Sequence, residues 1–88
     1  MNRITEAERK RFHKILDDSI DKLDSPKNSE KTHWSEIGIH ELTAFQNGEC
    51  IELIGAVTLQ KPQKNIESEC FDNINFPLFI IDNLRGNV

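Results

Sequence analysis

Eighty-eight residues, 36% hydrophobic and 30% charged, suffice for one domain with one thin core. No apolar run approaches the ~20 residues that cross a bilayer, and residues 1–20 are charged without an apolar signal core. With a net charge of −4, the expectation is a soluble, cytoplasmic single domain over residues 1–88, with no nucleic-acid or membrane partner. So small an apolar fraction favours a homodimer or larger homo-oligomer, because a second subunit can cover what one chain cannot bury.

The charge divides unevenly. Residues 1–33 hold eight Lys/Arg against seven acids, and residues 34–88 hold three against eight. The basic cluster Arg9-Lys10-Arg11 is flanked by Glu6, Glu8, Asp17 and Asp18 and reads as a solvated helix face.

The first element is a helix over about residues 5–24. Thr5 and Glu8 have capping-box spacing, and Phe12, Ile15, Leu16, Ile20 and Leu23 recur at three- and four-residue steps. Ser25-Pro26 ends it, since proline disfavours helical geometry in the preceding residue. Residues 25–31 read as a loop. A second helix is expected from Thr32 or Ser35, each able to act as N-cap, carrying Trp34, Ile37, Leu42 and Phe45 and stopping at Asn47-Gly48. Residues 50–59 are ambiguous between a strand and a buried helix, with Lys61-Pro62 closing the segment under either reading. A third helix is expected from Asn65 as N-cap through Ile66, Cys70, Phe71 and Ile74. Pro77 kinks it or ends it near Asn75, leaving residues 76–81 extended. Residues 85–88 read as a frayed tail. The expected fold is all-α, a small antiparallel bundle of three to four helices. The alternative is a small α/β fold with strands near 50–59 and 76–81.

Two acidic pairs carry the chemistry: Glu49-Cys-Ile-Glu52 and Glu69-Cys-Phe-Asp72, sixteen residues apart. On a helix, positions i and i+3 share a face, so two antiparallel helices could gather four carboxylates. Such a group repels itself unless a cation or protons intervene, and oxygen-only ligands suit Mg²⁺ or Mn²⁺. Mg²⁺ is commonly held by a few carboxylates together with substrate phosphates, which points to a nucleotide polyphosphate.

Glu-x-x-Glu, this spacer and Glu-x-x-Asp resemble the metal-binding signature of the MazG-like, all-α nucleoside triphosphate pyrophosphohydrolases, loosely over residues 34–84. The resemblance implies hydrolysis of a nucleoside triphosphate to the monophosphate and pyrophosphate, with Glu49, Glu52, Glu69 and Asp72 as ligands of Mg²⁺ or Mn²⁺. It implies a catalytic role for Glu49 or Glu52 in orienting or deprotonating water, and a homodimer or homotetramer with sites near subunit interfaces. Lys61, Lys64 and Arg85 are the basic residues of this half that could steady phosphates, and Asn73, Asn75 and Asn83 are candidates for base contacts. The sequence departs from the family at Gly48, where another Glu is usual, and at Pro77, inside the second metal helix. A degenerate member that keeps the bundle without the activity is therefore an alternative.

Other motifs carry less. His40-Glu41 opens like the zinc-protease HExxH, but position 44 is Ala. His33, Glu36 and His40 could share a helix face, yet solvent-exposed histidines are the simpler reading, as for His13. Cys50 and Cys70 lack zinc spacing and read as small buried apolar side chains. Trp34 reads as a core or interface anchor. The runner-up function is a non-catalytic interaction protein of immunity, antitoxin or inhibitor type, docking its acidic C-terminal half on a basic partner.

Overall fold

A computed structural model describes residues 3–28 and 31–86. Its architecture is all-helical, with three long helices in the order α1 (Glu6–Lys22), α2 (Ile39–Thr58) and α3 (Gln63–Leu84), and no strand among the described residues. The α/β alternative is overturned, because residues 50–59 and 76–81 lie inside α2 and α3. None of the helices is long and apolar enough to cross a membrane.

α1 begins as its capping box dictates. The Glu8 amide donates to Thr5 Oγ1 (3.1 Å), and the Thr5 amide donates to Glu8 Oε1 (2.8 Å). These bonds, the Thr5 amide first, hold the Glu8 carboxyl below its ordinary pKa. The buried face of α1 is narrower than its apolar stripe. Phe12, Ile15 and Ile20 remain 44–52% exposed, and the fully buried residue is Ser19. A small side chain at that position lets α1 approach α3 closely, and a reciprocal pair of hydrogen bonds forms there. Ser19 Oγ donates to Asn75 Oδ1 (2.6 Å), and Asn75 Nδ2 donates to the Ser19 carbonyl (2.9 Å).

The connection from α1 to α2 carries two single turns of 3₁₀ helix, Pro26–Asn28 and Trp34–Glu36. The second is strapped to the end of α3. Trp34 stacks on Phe79 at 4.6 Å between ring centroids and donates from Nε1 to Asp82 Oδ2 (2.9 Å). Asn83 Nδ2 donates to the carbonyls of Trp34 (3.0 Å) and Ile37 (3.2 Å). Thr32 and Ser35 therefore do not start α2; Gly38 is its N-cap, and the Trp34 turn precedes it.

α2 also passes through Asn47-Gly48 instead of ending there. Gly86 is the one described glycine with positive φ, so Gly48 stays on the helical side of the map. The helix stops ten residues later in a Schellman turn: Lys61 donates to the Ala56 carbonyl and Gln60 to that of Val57, both at 3.0 Å. Gln60 takes the left-handed conformation (φ 52°) in which glycine is usual. Pro62, not Asn65, is the N-cap of α3, which continues through Pro77 to Leu84. A proline ring removes one helical hydrogen bond, and here the helix persists because α2, α1 and the Trp34 strap all pack on α3. Arg85 is its C-cap, followed by Gly86 at φ +72°. Residues 87–88 of the expected tail lie outside the described residues.

The core is thin, as the composition implies. Leu42 is the one fully buried apolar side chain among the described residues, joined by Ser19 and Asn75. Ile51, Ile54, Val57 and Leu59 stay 53–70% exposed, so residues 50–59 form a helix that is not buried all round. Cys50 is exposed and Cys70 half-buried, both free, which corrects the expectation that they fill the interior.

Candidate metal centre

α2 and α3 form an antiparallel hairpin, so the acidic pair of each arrives at the same level. Asn73 fixes the register. Its Nδ2 donates to the Glu49 carbonyl across the interface (3.0 Å) and to the Glu69 carbonyl on its own helix (2.8 Å). Its Oδ1 accepts from Gln46 Nε2 (2.8 Å). Between these anchors one carboxylate oxygen from each of Glu49, Glu69 and Asp72 comes within 4.8 Å of the others.

Electrostatics at the cluster are strained in a specific way. The Glu49 carboxyl is pushed up to about 7 from 4.5, first by burial, then by a hydrogen bond with Glu52, then by the charges of Asp72, Glu52 and Glu69. Glu69 is raised too, by burial and by Glu52 and Asp72, with Lys22 opposing. Glu52 thus belongs to the same electrostatic group, although its side chain is exposed. Glu49 Oε2 and Glu69 Oε2 are shut off from water and accept no hydrogen bond. Buried carboxylate oxygens without donors are uncommon and call for an explanation. An all-oxygen donor set with orphaned lone pairs fits a hard divalent cation, which would relieve both the repulsion and the missing bonds.

One cation is already present in the chain. Lys22, in the last turn of α1, sets its Nζ 2.6 Å from Asp72 Oδ1, 2.8 Å from Ser68 Oγ and 3.0 Å from the Ser68 carbonyl. Neither spacing nor composition marks this residue, because its partners lie 46 and 50 positions away. Lys61, Lys64 and Arg85 fall elsewhere. The two lysines are exposed at the hairpin end, and none of the three lines the groove beside the cluster. At roughly 1.5 Å per residue, Arg85 stands about 20 Å along α3 from Asp72.

That groove runs from Lys22, Glu49 and Asp72 to an aromatic wall of Phe45, Phe76 and Trp34. Phe76 meets Phe45 at 5.9 Å and Phe79 edge-on at 5.6 Å, and His33 stacks on Trp34 at 3.8 Å. Trp34 is therefore both the anchor of the strap and a wall of the groove. Asn75 is committed to Ser19, and Asn83 to the Trp34 strap. His13, His33, Glu36 and His40 are exposed, and His33 is engaged with Ser35, so these side chains do not assemble into a second cluster. Comparison of the chain with protein-family models, with curated proteins and with solved structures finds no match.

Proposed function

We propose that this chain is a Mg²⁺- or Mn²⁺-dependent nucleoside triphosphate pyrophosphohydrolase of the MazG-like kind, converting a nucleoside triphosphate to the monophosphate and pyrophosphate. The observation that carries this reading is the convergence of Glu49, Glu69 and Asp72, with two donor-less buried oxygens, at one end of an aromatic-walled groove. Glu49, Glu69 and Asp72 would hold the cation, with Glu52 at the margin. A bound divalent cation supplies Lewis acidity toward a phosphate oxygen and lowers the pKa of water beside it.

The remaining work falls to the chain itself. Glu52, exposed beside Glu49 at the margin of the cluster, is placed to orient an attacking water and take its proton. Phe45 and Phe76 offer apolar surface to a nucleobase, while the Trp34 ring behind them is held in its stack with His33 and Phe79. The apolar side chains left exposed on α2 support a homodimer or homotetramer as the working unit.

Pyrophosphate release from a panel of ordinary and modified nucleoside triphosphates, with Mg²⁺, Mn²⁺ or chelator, tests the proposal. Metal-dependent turnover that Glu52→Ala depresses is the expected result; no turnover of any substrate with either metal refutes it. The same exposed apolar stripe (Ile51, Ile54, Val57) favours a second reading, a non-catalytic protein that docks its acidic C-terminal half on a protein partner. Under that reading, alteration of Ile51 and Ile54 removes binding while the acidic cluster is dispensable.

A further inference from the structure

We infer that Lys22 is a substrate-positioning residue, occupying Asp72 in the free protein and turning to a phosphate oxygen once a divalent cation takes Asp72 over. This rests on the pyrophosphohydrolase reading. The ammonium carries three hydrogens, and all three have acceptors here: Asp72 Oδ1, Ser68 Oγ and the Ser68 carbonyl. Among the described residues, Asp72 is the one member of the acidic cluster with a direct cationic partner. Lys22 thus stands in the place where a divalent cation would draw charge from the same carboxylate.

The two cannot share Asp72 on equal terms. A doubly charged ion beside Asp72 repels an ammonium in direct contact with it, and the four-carbon lysine stem can swing without moving its helix. Lys22 already lines the groove with Glu49 and Asp72, so the space open to it is where a polyphosphate chain would lie. Its root is fixed, because Ser19, one turn earlier on α1, is locked to Asn75. A second anchor, Asn28 Nδ2, donates to the Lys22 carbonyl (3.1 Å). A mobile charge on a fixed root is what a positioning residue requires.

Calorimetric titration of the intact protein with Mn²⁺ alone, then with inorganic tripolyphosphate in saturating Mg²⁺, separates the two roles. Lys22→Met is expected to bind Mn²⁺ roughly fivefold more tightly, because the competing ammonium is gone. It is expected to bind tripolyphosphate about tenfold more weakly, because a charge-assisted hydrogen bond is lost. Lys22→Arg should restore tripolyphosphate binding, and matched urea midpoints for the variants show that α1 remains docked. A Lys22→Met protein that binds both ligands like wild type, or loses both together, overturns the inference while leaving the parent reading standing. If wild-type protein binds no Mn²⁺, the parent reading falls and this one with it.

Discussion

Replacing Glu49 by Gln tests the acidic cluster most directly, since the two side chains match in shape and differ in charge. The Glu49 carboxyl titrates at about 7 in the fold against an ordinary 4.5. The folded protein therefore holds this proton more tightly than the unfolded chain, and stability falls as pH rises from 4.5 through about 7. At about 1.4 kcal/mol for each tenfold change in proton affinity, that difference corresponds to about 3 kcal/mol. Solvent screening at a half-exposed cluster lowers the observable share to about 1–2 kcal/mol. Glu49→Gln should recover that share at pH 8 and nothing at pH 4.5, where the native carboxyl is already neutral. For a domain of this size 1 kcal/mol moves the midpoint by about 4–8 °C, so a gain of about 5–15 °C at pH 8 is expected in metal-free buffer. Saturating Mg²⁺ or Mn²⁺ should raise the Tm of wild type by mass action and leave the variant nearly unmoved. A variant no more stable than wild type at pH 8, or one equally responsive to the metals, refutes the account of the cluster.

Two further substitutions test the scaffold around it. Asn75→Ala removes both bonds of the buried Ser19–Asn75 pair and leaves Ser19 Oγ the longer bond to the Phe71 carbonyl (3.4 Å). It should cost about 2–3 kcal/mol by urea denaturation, and a loss below about 0.5 kcal/mol means that the lock does not hold α1. Gly48→Ala adds a Cβ that meets nothing within 4 Å on a helical backbone. It should stabilise by about 0.5–1 kcal/mol through helix propensity; a destabilised variant shows that this stretch of α2 is not regular helix.

The sequence was most legible where local chemistry decided the outcome. Thr5 and Glu8 define the start of α1 because both capping bonds lie within three residues. The two acidic pairs are visible because helical spacing places i and i+3 on one face. Expectation failed where a local signal met packing. Asn47-Gly48 is a plausible helix end in isolation, yet α2, packed on α3, runs on to Thr58. Of the two outcomes Pro77 allowed, a kink or an end near Asn75, the end is excluded: α3 runs on to Leu84 with three neighbouring elements packed on it. Of the apolar stripe of α1 (Phe12, Ile15, Leu16, Ile20 and Leu23), Leu16 and Leu23 are partly buried while Phe12, Ile15 and Ile20 stay exposed, and the fully buried position is the small polar Ser19.

Length, composition and helical spacing by themselves determined one small domain with a thin core, the first helix and two carboxylate pairs, because each depends only on near neighbours in sequence; the choice of all-α over α/β came from the fold. The tertiary structure alone decided that Glu49, Glu69 and Asp72 meet within 4.8 Å, since that depends on the register of two helices set by Asn73. It also supplied Lys22, whose charge reaches Asp72, 50 positions further along the chain. A charge counted in sequence belongs to a segment, but its energy depends on distance in space. The lysine counted with the nearly balanced N-terminal third is therefore the one that faces the acidic cluster of the other two-thirds.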